Sequence, residues 1–151
     1  MTRNGQDDVF NRNLLLVISL RFLENQYGEG AVESFLKWKR EETKREWREK
    51  SRTAGRADPE YLSRLFNDEV HDYKVIEKNS KRLEVKVHRC KHAETFQDFG
   101  AEDIGKEVIC KGDHAIVEGY NPEIEFRRPK MLMDGDNCCH FIFELESRGE
   151  G

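Results

Sequence analysis

The hydrophobic period of this chain switches near its middle, and that switch limits the folds open to it. Before Tyr73 apolar residues recur at helical spacing. Phe10, Leu14, Val17, Ile18 and Leu20 form one set, Phe35 and Trp38 a second, and Tyr61, Leu62, Leu65, Phe66 and Val70 a third. From Tyr73 the period is two: Tyr73 and Val75, then Leu83, Val85 and Val87, alternate with charged residues across a Lys78-Asn79-Ser80 turn. This pattern predicts helices followed by an antiparallel hairpin with one face buried.

The segment Val9 to Tyr27 has so wide an apolar face that it is expected to lie centrally in the core. Gly28 and Gly30 end it. A long amphipathic helix is expected from Ala31 to about Thr53, its polar C-terminal half projecting or fraying. After the linker Ala54-Gly55-Arg56-Ala57, Asp58 as N-cap and Pro59 at the first helical position open a third helix that runs to about His71. Beyond Cys90 the helical period returns over Lys91 to Phe99 and over Ala101 to about Glu118, with Gly100 as the cap between them. Asn121-Pro122 stops the second of these. Two alternating strands follow, Glu123 to about Met133 and Cys138 to Glu146, joined through an Asp134-Gly135 step that suits a tight turn. Pro129 makes the first of them an edge strand or a bulged one.

The expected class is therefore α+β: N-terminal helices, a hairpin, two helices and a second hairpin, with a four-stranded antiparallel sheet covered by helices. A single domain over 1–151 would divide into a helical part, 1–72, and an α/β part, 73–147. A chain of 151 residues can build such a core without disulfides. With no export signal or membrane-length apolar run in the sequence, its four cysteines read as reduced thiols in a cytoplasmic protein.

Charge narrows the partners. The net value is −4, yet Lys37 to Arg56 holds nine Lys or Arg against four Glu. Glu41, Glu42, Glu46 and Glu49 stand at helical ion-pair spacing from those bases, so a solvated helix face explains the run better than nucleic acid does. A small-molecule substrate or ligand is the expected partner, no membrane is implied, and a homo-oligomer is left open.

All four cysteines and four of the five histidines fall between His88 and His140. Thiols, imidazoles and carboxylates supply nucleophiles, proton carriers and metal ligands. On a helix over Ala101 to Glu118, Cys110, Asp113 and His114 lie at offsets of three and four, so thiol, carboxylate and imidazole share a face. That spacing suits covalent catalysis, and a small core cysteine beside a surface histidine explains it equally. In the last strand Cys139, Phe141 and Phe143 share one face while Cys138 and His140 share the other. Zinc is a weaker alternative with Cys90, Cys110, Cys138 and Cys139, joined by His92 and His140, as candidate ligands, because neither Cys-x2-Cys nor His-x3-His spacing occurs. The sequence requires no cofactor. Arg127 and Arg128 could hold a substrate carboxylate, or simply discourage edge pairing.

Read in order, Cys90 with His92-Ala93, Phe99-Gly100, Cys110-Lys-Gly-Asp113, Glu118-Gly-Tyr-Asn-Pro122, Met131-Leu-Met-Asp-Gly-Asp136 and Cys138-Cys-His-Phe141 resemble the L-2-amino-thiazoline-4-carboxylate hydrolase family. The resemblance covers roughly residues 85 to 146 and singles out Cys90, Cys110, Asp113, Asn121, Gly135, Cys139 and His140. It implies hydrolysis of a cyclic amidine, in which water adds to C2 of a thiazoline and ring opening yields a carbamoyl cysteine. It also implies Cys110 as nucleophile or metal ligand, Asp113 as base or orienting group, and His114 or His140 as proton carrier. Arg127 or Arg128 would anchor the substrate, with Asn121 and Cys139 beside it. A more distant similarity, to 4-vinyl-reductase and TRAPP-like domains, implies the alternative of a non-catalytic module that binds a small ligand or a metal.

Overall fold

Residues 5–146 are described by the structure, a computed structural model; the first four residues and 147–151, which close the expected 1–151 and 73–147 spans, lie outside the described residues. Two long helices come first, α1 (Gly5–Tyr27) and α2 (Glu29–Ala54), followed by a 3-10 helix over Pro59–Leu65. The hairpin β1 (His71–Lys78) and β2 (Arg82–Cys90) leads into α3 (Lys91–Asp98). A continuous helical run then passes from α4 (Glu102–Gly105) through one π turn, Lys106–Cys110, into α5 (Lys111–Tyr120). Strands β3 (Ile124–Lys130) and β4 (Cys139–Leu145) complete an α+β fold.

The four strands form one antiparallel sheet in the order β1-β2-β4-β3. Alternation sets its two faces. Leu83, Val85 and Val87 of β2 pair with Phe143, Phe141 and Cys139 of β4, and this face is covered by Leu62, Phe66, Val117 and Tyr120. The outer face carries charge: Arg82 bridges Glu77, Glu84 and Glu144. Pro129 lies where the register of the edge strand β3 slips, between Arg127 and Lys130, so the edge and bulge expectations both hold. A second apolar cluster lies between the helices, built on Leu20, Leu36, Ala93, Phe96, Ile104 and Val108.

Five expectations about elements are corrected. Helix α1 is peripheral: Val9, Asn13 and Leu20 face inward, while Leu15, Ile18 and Phe22 are 67%, 57% and 57% exposed. Its wide apolar face exceeds what α2 and α3 cover, and α5 takes the central place over the sheet. The C-terminal half of α2 stays helical to Ala54, held to α5 by the Lys44–Glu118 ion pair and the Trp47–Tyr120 ring contact. The third helix is short because Asn67 competes for the backbone: its Oδ1 accepts from the N–H groups of Glu69 and Val70 and turns the chain toward β1. Asp58 does not cap that helix by its side chain, since the Arg56 guanidinium engages both carboxylate oxygens at 2.6 and 2.8 Å. Finally, β3 and β4 are not joined by a tight turn. Leu132–Asp134 form a 3-10 turn that buries Met133, Gly135 takes a φ of 92°, and Asp136 accepts from the Met131 N–H.

Candidate functional site

Cys110 ends the π turn and Asp113 follows one helical turn later, so both project from the helical run toward the sheet. There they border a cavity of about 270 Å³ enclosed by α2, α3, α5 and the inner face of the sheet. Cys90 at the end of β2 and Cys139 at the start of β4 reach the same space, as do Arg128, His71, His92, Lys39 and Thr43. The rest of the wall is apolar, including Phe66, Val87, Ile116 and Phe141. A larger open depression between α1 and Asn67–Val70 carries no thiol or imidazole. The enclosed cavity has the apolar wall and few convergent polar groups of a small-molecule site.

Asp113 is its electrostatic centre. Burial pushes the carboxyl up to about 6 against the opposing pull of the Arg128 guanidinium, placing it in the range of a general acid and base at neutral pH. Arg128 is 6% exposed and engaged through both terminal nitrogens: Nη1 donates to Asp113 Oδ2 at 2.9 Å and Nη2 to the Cys110 carbonyl oxygen at 2.8 Å. The guanidinium therefore ties β3 to α5 and orients Asp113 through one oxygen. Among the described residues Oδ1 has no protein partner.

The thiols are neutral. Burial pushes Cys110 up to about 12 and Cys139 up to about 11, and it raises Cys90 as well. The Leu132 N–H donates to Cys139 Sγ at 3.2 Å. Cys90, Cys110 and Cys139 share the cavity, while Cys138 is buried outside its wall and all four cysteines are free. Among the described residues no three His, Cys, Asp or Glu side chains are placed to hold a metal ion.

The other expected site residues are not brought to the cavity. His140 bonds Glu84 at 2.7 Å on the outer face of the sheet, one residue beyond Cys139 and therefore opposite to it. His114 packs its ring on Phe126 at 4.5 Å, and the cavity wall does not include it. Arg127 pairs with Glu125 and Glu144 on the outer face. Asn121 holds the loop after α5, donating to the Ala57 carbonyl at 2.9 Å and accepting from the Glu123 N–H.

Sequence reasoning missed His71, Lys39 and Asn13 and weighed His92 only as one of a possible set of zinc ligands. Burial holds His92 down at about 4, and His71 is lowered for the same reason. Asn13 on α1, 3% exposed, lies 3.1 Å from His92 through its amide nitrogen. A polar residue four positions from buried Val9 on a helix was the one available signal. Lys39 has no ion-pair partner among the described residues, unlike its neighbours, where Lys44–Glu41, Arg45–Glu42 and Lys50–Glu46 realise the predicted helical pairs.

Among the described residues no helix is long and apolar enough to cross a membrane. No curated protein matches the chain. The family model described as L-2-amino-thiazoline-4-carboxylic acid hydrolase matches residues 18–143, which takes in every cavity residue named above; Asn13, which meets His92 from behind the wall, precedes the match. The chain belongs to the L-2-amino-thiazoline-4-carboxylic acid hydrolase family.

Proposed function

We propose that the protein hydrolyses a small cyclic amidine of the 2-amino-thiazoline-4-carboxylate type, with Asp113 as the general acid and base. The observation that carries this reading is the Asp113 carboxyl, half-buried, held by Arg128 through one oxygen and raised to about 6, at the wall of a cavity sized for such a ring. Water attacks C2 as Asp113 Oδ1 takes its proton and delivers it to the ring nitrogen. The carbon–sulfur bond then breaks, the hydroxyl proton passes through Asp113 to the leaving sulfur, and the carbonyl of a carbamoyl cysteine forms. Both hydrogens of the water are thus accounted for.

A direct attack by Cys110 is disfavoured. Burial lifts its thiol far above the Asp113 carboxyl, so moving its proton to Asp113 is uphill before any bond forms. Activating water instead leaves the thiols as neutral, polarisable wall groups. Turnover of 2-amino-thiazoline-4-carboxylate by the purified chain, followed by release of free thiol, tests the reading. Asp113→Asn is expected to lower kcat by about 10²–10⁴-fold, the usual span for a general acid and base, while Cys110→Ala keeps most of it. A Cys110→Ala protein without activity would restore the covalent route, and binding without turnover by the wild type would select the non-catalytic module.

A further inference from the structure

Two polar residues are buried most deeply among the described residues, Asn13 and Thr95. The Thr95 hydroxyl is satisfied within its own helix by the Lys91 carbonyl, whereas Asn13 reaches from α1 to α3 and meets His92. Its amide nitrogen, 3.1 Å from His92 Nδ1, has hydrogens and no lone pair to offer, so it donates and Nδ1 accepts. A neutral imidazole that accepts at Nδ1 carries its proton on Nε2. The backbone N–H of Asn67 lies 3.4 Å from His71 Nδ1, an arrangement that suits the same tautomer.

Both rings border the cavity, and neither Nε2–H has a protein acceptor among the described residues. Neither Nε2 is among the buried atoms left without a partner, so each N–H is accessible and free to donate to whatever occupies the cavity. The two donors come from β1 and α3, whereas Asp113 stands on α5, so the cavity has a donor side and an acceptor side. Lys39 on α2 adds an unpaired ammonium to the wall.

We propose that His92 and His71 form a carboxylate subsite, each donating through Nε2–H, and that Asn13 is the positioning residue that fixes the His92 tautomer. The identity of the ligand rests on the hydrolase reading; the geometry of the subsite does not. Neutral donors suit this place, since burial holds both imidazoles below their ordinary value and keeps them uncharged at neutral pH. A ligand with a carboxylate at one end and an amidine at the other would lie between the imidazoles and Asp113. Asn13 precedes the stretch matched by the family, so nothing in that match assigns it this role.

Two-bond proton–nitrogen correlation spectra of the full chain at neutral pH read the tautomer of each histidine. His92 and His71 are expected to show a bare Nδ1 and a protonated Nε2. Asn13→Asp, whose side chain only accepts, is expected to protonate His92 Nδ1 and leave His71 unchanged. Binding is compared for 2-amino-thiazoline-4-carboxylate and for 2-amino-thiazoline, which lacks the carboxylate. The wild type is expected to prefer the acid about tenfold or more, as charge-assisted donors allow, and His92→Phe and Asn13→Asp to lose that preference without losing affinity for the second compound. A wild-type His92 protonated on Nδ1 overturns the proposal, and so does a preference that survives both substitutions. Binding of the acid without turnover sinks the hydrolase reading alone. If neither compound binds, acetate is titrated instead: movement of both Nε2–H resonances supports the subsite, and unmoved resonances refute it.

Discussion

Asp113 and His92 are half-buried titratable groups on one cavity, and desolvation drives each toward its neutral form from opposite directions. For Asp113 the folded value of about 6 exceeds the ordinary 3.8, so folding favours the protonated acid. Its stabilising contribution is complete below the ordinary value and is lost as pH rises through about 6, a difference of about 3 kcal/mol. For His92 the folded value of about 4 lies under the ordinary 6.5, so its contribution is present above 6.5 and lost as pH falls through about 4. Between those limits the two effects oppose each other. Asp113→Asn removes one of them. Lowering the pH from 7 to 4 is therefore expected to stabilise the wild type relative to this variant by about 2–3 kcal/mol, measured by urea denaturation at both pH values. An unchanged difference would show that Asp113 is not raised in the folded protein. At this scale the Cys110 and Asp113 pair was legible, since three residues on one helix is a local relation. His92, His71 and Lys39 come from three separate elements, so no spacing in the chain announces their meeting. His114 and His140 were misplaced for the converse reason: shared spacing does not say which way a ring leaves its backbone.

Elements place those residues through a few features that a pattern of apolar positions does not carry. The π turn Lys106–Cys110 adds one residue to a helical run, and one extra residue rotates everything after it by about 100°. Val108 thus faces the inter-helix cluster while α5 turns Val117 to the sheet. Reading Ala101 to Glu118 as one regular helix therefore found the element and missed part of its orientation. The hairpins were more legible, because alternation in a half-buried strand fixes both face and register. The approach of α2 to α5 has its own marker, Gly119: a Cβ there would lie 2.4 Å from the Lys44 carbonyl oxygen. A rigid backbone cannot yield as a side chain can, so Gly119→Ala is expected to cost about 1–3 kcal/mol despite the gain in helix propensity. Gly112 in the same helix has open space, and Gly112→Ala is expected to stabilise by about 0.5–1 kcal/mol. Opposite signs in paired denaturation curves are the outcome to look for; a neutral Gly119→Ala would mean that the helices are not in close contact.

For the whole molecule the question is whether the N-terminal helices are appendages or part of the fold. The apolar face of α1 argues for an appendage, since Leu15, Ile18 and Phe22 lie outside any core. The packing argues otherwise. Leu20 and Leu36 are buried in the same cluster as Ala93, Phe96, Ile104 and Val108, and Leu16, Val17, Leu23, Val32 and Phe35 pack against it. Trp47 joins α2 to the sheet-side cluster through Tyr120, while Cys90, Met131 and Leu132 touch both clusters and Cys90 also borders the cavity. Each buried aliphatic or aromatic side chain contributes about 1.5–3 kcal/mol, and the total stability of a domain is about 5–15 kcal/mol. Losing even half a dozen such contacts therefore exceeds what the remainder can supply. It would also uncover Phe96, which is fully enclosed in the intact chain. Removal of residues 1–60 is accordingly expected to abolish the cooperative unfolding transition and the near-ultraviolet dichroism of the packed aromatics. Should the shortened chain still unfold cooperatively, the sheet and α5 would have to form a core without α1 and α2, and the cavity would have lost its Lys39 wall without losing its support.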